Sequence, residues 1–477
     1  MPERDVMLTV LAATVVLAPL VTALGLGLFS FLSEVPSERA THRIVIVAMV
    51  TSILSLLSLV VLVLTSGEPY LEVDFGPWFH VGHYEFEIAF LLDELSLGYG
   101  FTVAAIGLLI ARFAIRYLHR EEGYARFFIL LCLAMAGLET VALAASYDVL
   151  FLGWEIVGVS SVTMVLFFHT RPGPVRASLL VLVSYRIADL GLLVGAVVLH
   201  QAAGTTEYEA IFEHGAWPGG ATHIDVTTAA IVGLLLLLSA SGKSAQLPFS
   251  SWLPRAMEGP TPSSALFYGA LSIHAGIFLL LRSAPLFAHA PVVRGALIAV
   301  GGCTAMYAAL VGRVQSDAKG QMAYATMAQL GVMLVEIGFG FVTLAALHLV
   351  AHAFLRGFQL LRAPSVIADV RRIQAELKDR PLPSDNAIER ALPITWARWL
   401  YRHALERFYL DTLAYRVVLR PILRVSEMLA AADAAALQIL VREPAPTTTE
   451  PGSPIPPPAI AKAFEGDGSN KPTGTRA

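Results

Sequence analysis

Long apolar runs separated by short polar connections fill most of the chain. A transmembrane helix needs about 20 mostly apolar residues, and eleven segments meet that length: 7–32, 44–66, 87–115, 125–146, 148–169, 177–200, 226–257, 263–282, 292–312, 319–339 and 341–363. The pattern predicts an all-α polytopic membrane protein. The first run, Met7 to Leu32, exceeds the roughly 7–15 residues of a signal-peptide core and reads as a retained span.

Composition agrees. Of 477 residues, 56% are hydrophobic and 15% charged, against about 25% charged in soluble domains. A net charge of −4 argues against nucleic acid as a partner. Cys132 and Cys303 sit in separate apolar runs and read as small residues of the membrane core. Counted from an outside N-terminus, the inside connections hold Arg39, Arg43, Arg116, Arg120, Arg126, Arg171, Arg176, Arg255, Arg313 and Lys319. The long outside connections around 66–86 and 201–223 hold no Lys or Arg. Positive-inside bias therefore predicts an outside N-terminus and a cytoplasmic C-terminus.

After Pro364 the composition turns hydrophilic. Leu410, Leu413, Val417, Val418, Ile422 and Val425 can share one helical face, with Arg416, Arg420 and Arg424 elsewhere. Such a helix suits a membrane surface or a partner; an ordinary cytoplasmic hairpin is the plainer reading. From Pro444 the Pro-, Thr- and Gly-rich sequence reads as a disordered tail.

Several ionisable residues fall where lipid should exclude them: Glu139, Glu155, Asp189 after Arg186, Lys243 and Glu336. A charge at the bilayer centre costs about 2.5–3.5 kcal/mol even on lenient scales, so such residues face one another or water and mark ion paths. Lys243 lies in an apolar stretch that, as one straight helix, would run to about 50 Å at 1.5 Å per residue, too long for the bilayer. Pro248 lacks an amide hydrogen and crowds the preceding turn, which predicts a helix break there. Broken helices are tolerated in membranes only beside protein or a hydrated cavity. Burial favours a neutral lysine amine and a nearby carboxylate the charged one, which is what a proton relay needs; snorkelling to the interface is the alternative. His348 and His352, four apart, point to one face of their helix and could pass protons, act as structural hydrogen-bonding groups, or ligate zinc, although no third ligand is clustered with them. Tyr268, Ser272 and His274, on the span that follows the break (263–282), could carry hydrogen bonds away from it. No nucleotide, haem or Cys-cluster motif occurs, so no cofactor and no metal site are expected.

The stretches "FLGWEIVGVSS", "SYRIADLGLL", "GKSAQLPFSSWLPRAMEGPTPSSAL", "SDAKGQMAYATMAQLGVM" and "HLVAHAFLRGF" resemble the antiporter-like membrane subunits of respiratory complex I and its relatives, especially subunit L of NADH-quinone oxidoreductase. The resemblance covers roughly residues 85–363. It implies two inverted five-helix repeats, each with a broken helix. It also implies a proton relay of Glu155, Lys243, His348 and His352, supported by the ion pair Arg186 and Asp189. Glu139, Tyr268, His274, Glu336 and Arg356 are further candidates for the path. Three features depart from the family pattern. Phe267-Tyr268 stands where a histidine is common, and Arg356 where a lysine is common. Only about three helices of the second repeat are visible, as though the intervening ones were lost. The expected organisation is 1–123, N-terminal helices; 124–285, a complete repeat; 286–363, a partial repeat; 364–443, cytoplasmic amphipathic helices; 444–477, the tail.

Three functions follow. The first is a proton-translocating subunit of a complex I-like assembly in a prokaryotic inner membrane. It would sit among other membrane subunits, with a cytoplasmic partner on 364–443. The second is the membrane partner of an inorganic-carbon accumulation complex. The third is a non-conducting anchor.

Overall fold

The computed structural model describes residues 2–32, 36–82, 84–213, 217–376 and 393–440. The tail from 444 and the stretch 377–392 lie outside the described residues. Eleven helices are long and apolar enough to span a membrane: α1 Pro2–Leu32, α2 Glu38–Ser66, α3 Glu94–Tyr117, α4 Tyr124–Leu143, α5 Tyr147–Val165, α6 Pro172–Ala203, α7 Val226–Lys243, α8 (the irregular span Thr261–Arg282), α9 Pro291–Gly312, α10 Ala318–Phe339 and α11 Val342–Glu376. The chain is a multi-pass membrane protein. The apolar runs place these helices, and short polar side chains start many of them. Asp93 accepts from Ser96 N, Ser146 from Val149 N, and Asp225 from the amides of Thr227 and Thr228. Each satisfies amides that the first helical turn leaves free.

Two features depart from the sequence reading. The segment expected to span from 87 begins as a strand. Leu71–Val81 (β1) pairs antiparallel with Tyr84–Leu92 (β2), with Leu71 opposite Leu92 and Val81 opposite Tyr84. Phe79 and Phe86, cross-strand partners, stack at 5.0 Å, and Trp78 packs on Phe86. The hairpin lies on the side of the 144–148 and 204–213 loops, away from the arginine-rich connections. Cys303, expected in the core, is exposed on α9; Cys132 is buried.

At the centre stands α8, every residue of its apolar window buried. It is not a regular helix. A π-helical stretch covers Ser264–Ala270, and a tighter turn over Ser272–His274 leads into regular helix from Ala275. The α7–α8 approach requires Gly276: a Cβ there would lie 2.3 Å from Ser244 Oγ and 2.7 Å from the Ala240 carbonyl.

The C-terminal helices α12 (Ile394–Leu405) and α13 (Arg420–Leu440) flank short turns at 407–419. Asp411 receives Arg255 at 3.0 Å and Arg407 at 2.8 Å, and Phe408 packs edge-on to Tyr307. On the expected apolar face of this segment Leu413, Val417 and Val425 are exposed, while Leu410 packs against the core. Removing the shared acceptor should loosen the segment. Asp411→Ala is expected to speed tryptic cleavage after Arg416 and Arg424 about fivefold, for a loss of about 1 kcal/mol. Unchanged cleavage rates would show that the ion pairs do not hold it.

Candidate functional site

The α7 helix ends at Lys243, five residues before the break expected at Pro248. Ser244 N still donates to Ala240 O, but Ala245 adopts a left-handed conformation (φ 52°) and the chain leaves the helix. The freed carbonyl of Gly242 accepts from Trp252 Nε1 at 2.9 Å. Pro248 sits in the following loop, where its missing amide costs nothing. Lys243 thus occupies a helix C-terminus, where the partial negative charge of unpaired carbonyls favours a cation.

Its ammonium is fully buried. Nζ donates to the Trp154 carbonyl at 3.2 Å and lies 4.5 Å and 4.4 Å from the ring centres of Trp154 and Tyr185. Such cation–π contacts are worth about 2 kcal/mol each when desolvated, less than the several kcal/mol that burying an ion costs. Two acids nearby, Asp189 and Glu155, offset part of the rest. Arg186 bridges Glu155, in a short ion pair, and Asp189 at 2.9 Å; Asp189 also accepts from Trp154 Nε1 at 2.5 Å. The expected direct pairing of Glu155 with Lys243 is absent among the described residues, because Arg186 holds the carboxylate. Gly158 leaves space between the two cations: a Cβ there would lie 3.3 Å from Lys243 Nζ and 3.5 Å from Arg186.

A polar track leads from Lys243 toward α8. The Tyr185 hydroxyl is turned toward Ser161 and Ser272, and Ser161 Oγ meets the Tyr268 hydroxyl at 3.1 Å. Tyr185 Oη and Ser272 Oγ are buried with no bonded partner among the described residues, as expected for groups that serve a water or a passing proton. Two residues on, His274 Nε2 meets His352 Nδ1 at 2.9 Å. Arg356 Nε donates to His352 Nε2 at 3.2 Å. A guanidinium only donates, so His352 Nε2 accepts and its proton sits on Nδ1, directed at His274. With both nitrogens committed, His352 has none to offer a metal, and no metal-holding cluster occurs among the described residues. Further out, His348 Nδ1 faces Glu336 at 3.1 and 3.2 Å. Arg356, a candidate for the path, orients His352.

The structure therefore assembles Glu155, Arg186, Asp189 and Lys243 at one locus, and His274, His352, His348 and Glu336 at another, with Tyr268 between. Glu139 joins neither. It is fully buried, both oxygens lack a bonded partner among the described residues, and it lies against Gly100, where a Cβ would be 3.2 Å from Oε2. Sequence reasoning missed Tyr185 and a second buried ion pair. Arg282 forks onto Asp93 at 2.5 and 2.9 Å and reaches Ser96 Oγ at 2.7 Å, with both charges almost wholly buried. Burial pushes the Asp93 carboxyl up, but Arg282 and Ser96 outweigh it and hold it below the usual carboxylate range. The signal was the pairing of an acid just before one apolar run with a base at the end of another.

The family described as NADH:quinone oxidoreductase/Mrp antiporter, TM, matches residues 144–397, and the N-terminal family of complex I chain 5 matches 78–128. NADH-quinone oxidoreductase subunit L of Neisseria meningitidis serogroup A is 30% identical over 395 residues, 81% of this chain and 57% of that protein. The Probable inorganic carbon transporter subunit DabB1 of Halothiobacillus neapolitanus is 34% identical over 357 residues, 75% of this chain and 61% of that protein. A chain of the Mrp complex from Dietzia sp. DQ12-45-1b superposes over 75% of this chain and 37% of its own, at a TM-score of 0.62 and 26% identity. The chain spans about half the length of the curated relatives it matches. With a match over more than half of its residues, the buried lysine at the helix break included, the chain belongs to the NADH:quinone oxidoreductase/Mrp antiporter transmembrane family.

Proposed function

We propose that the chain is a proton-translocating membrane subunit of a complex I-like energy-converting assembly, similar to subunit L. The observation that carries this reading is the fully buried Lys243 at a helix terminus, followed by the hydrogen-bonded histidines on α8 and α11. Glu155 acts through Arg186: when a proton arrives at Glu155, Arg186 is freed toward Asp189 and the field at Lys243 changes. The lysine then releases its proton along Tyr185, Ser161 and Tyr268 toward His274 and His352. This keeps Glu155, Lys243, His348 and His352 as the relay and Arg186–Asp189 as its supporting pair.

In this reading residues 1–123 are N-terminal helices, 124–285 a complete antiporter-like repeat, 286–363 a partial one, and 364–443 a docking segment. The arginine-rich connections face the cytoplasm of a prokaryote and the hairpin faces outward. A cavity of about 520 Å³ lined by Arg176, Arg255, Glu258 and Asp411 opens on the arginine-rich side, suited to proton entry. The open apolar face of Leu413, Val417 and Val425 would meet another subunit. DabB1 is matched over 61% of its length, more than the subunit L relatives. That favours, as a second reading, the membrane partner of an inorganic-carbon complex using the same relay; the proteins that co-purify decide between the two.

Glu336 lies three residues from the outer end of α10 and pairs with His348. It serves as the outer member of the histidine chain. Glu336→Gln keeps the shape but cannot titrate, so proton flux in reconstituted assembly is expected to fall about tenfold or more. Wild-type flux would reduce Glu336 to a hydrogen-bonded spacer between helices.

A further inference from the structure

The hairpin side carries acids that the relay does not use. Glu72 on β1 shares a hydrogen bond with Glu209, and Tyr70 Oη donates to Glu209 at 3.1 Å. The charged groups facing Glu72 are Glu209, Glu207 and Asp74, with Glu87 of β2 bonded in turn to Glu207. Two carboxylates at hydrogen-bonding distance cannot both be ionised at low cost, so the Glu72–Glu209 pair holds a proton. Burial, then the bond and charge of Glu209, push the Glu72 carboxyl up to about 8.

Beneath this rim is a cavity of about 20 Å³ lined by Tyr70, Glu209, Tyr208, Asp93 and Arg282, room for one water with polar partners on several sides. Tyr208 is only 3% exposed, and its hydroxyl has no bonded partner among the described residues. A buried, unpartnered hydroxyl in a cavity between an acid pair and a buried ion pair points to a transferable group in that space. Asp93 then opens α3, and two turns on, about 10 Å along the axis, Gly100 leaves room for the unpartnered Glu139.

We propose that Glu72, Glu209 and Tyr208 form a proton port on the hairpin side, joining outer water to the Asp93–Arg282 pair and, beyond it, Glu139. A proton arriving from within moves through Tyr208 and the cavity water to the Glu209 carboxylate. The proton already shared with Glu72 leaves to bulk water, so the pair's charge is unchanged over a cycle. The port rests on the relay reading for the proton's further route, but its own chemistry is separable. The folded Glu72 carboxyl keeps a proton that an unfolded one releases. The hairpin's attachment is therefore strongest at low pH and weakens as pH rises from 4.5 to about 8.

The test uses the full chain in lipid nanodiscs. Infrared titration is expected to show a protonated carboxyl band that disappears with a midpoint near pH 8 and is absent from both Glu72→Gln and Glu209→Gln. The port is overturned if no carboxyl band titrates above neutral pH, if the band survives both substitutions, or if submillimolar calcium displaces it, which would mark a cation site. In liposomes holding the complete assembly, Tyr208→Phe and Glu209→Gln are expected to slow proton flux about tenfold. Wild-type flux in both, with flux lost in Lys243→Ala, overturns the port and leaves the relay standing. Flux retained in Lys243→Ala refutes the relay, and the infrared band then decides the port alone.

Discussion

Replacing Lys243 by alanine, in an assembly that still forms, should reduce proton-coupled function about 100-fold or more, the usual scale for losing a proton-transfer group. The residue is placed for one task. Its ammonium is wholly buried, holds one hydrogen bond to the Trp154 carbonyl, and stands between the rings of Trp154 and Tyr185. No carboxylate among the described residues contacts the ammonium directly; Asp189 and Glu155 act at a distance, the latter already held by Arg186. A purely structural lysine would be replaced at little cost by an apolar residue of similar length, since buried ions seldom stabilise. Lys243→Met is therefore the companion variant. It fills the same space and should assemble at least as well as wild type, yet be as inactive as Lys243→Ala. Full coupled function in either assembled variant would remove the lysine from the mechanism.

The second large effect concerns stability. Asp93 and Arg282 tie the start of α3 to the end of α8 through a forked, almost fully buried ion pair, and Asp93 also caps α3 through Ser96 N. Removing one partner strands the other charge away from water. Arg282→Met or Asp93→Leu is expected to cost about 3–5 kcal/mol each, read as denaturant unfolding of the detergent-solubilised chain. Removing both should restore most of that loss, because no charge is then left unpaired; the cap would remain missing, at about 1 kcal/mol. Singles within about 1 kcal/mol of wild type would show that water reaches the pair and that it does not fasten the two helices.

The eleven spans were legible because bilayer thickness fixes how many apolar residues a helix needs, and few soluble cores require such runs. The hairpin was hidden by the same logic. The apolar end of β2 continues through Asp93 into α3, so residues 87–115 read as one segment, although Asp93 starts the helix. The break was placed at the proline, but α7 stops where Trp252 can cap the Gly242 carbonyl and Ala245 can turn left-handed. That capping depends on a side chain ten residues away and leaves no local signature. Helical spacing showed that His348 and His352 share a face, and their rings do lie 6.0 Å apart. Yet each hydrogen-bonds elsewhere, His352 to His274 across 78 positions and His348 to Glu336. Such pairings are set by how α8, α10 and α11 pack, which periodicity within one helix does not encode. The Tyr185 bridge was hidden for the same reason, and so was the choice of Arg282 as the partner of Asp93, although each sits at the end of its span.

In the proposed relay protons pass between α8 and α11 through the His274–His352 contact, with Arg356 fixing which nitrogen of His352 carries the proton. Voltage-driven proton flux into liposomes holding the complete assembly, read by an enclosed pH-sensitive dye, tests it most directly. His352→Phe keeps the ring and the packing but removes both nitrogens, and flux should fall to the level of liposomes carrying Lys243→Ala. Flux equal to wild type in assembled His352→Phe would contradict the account.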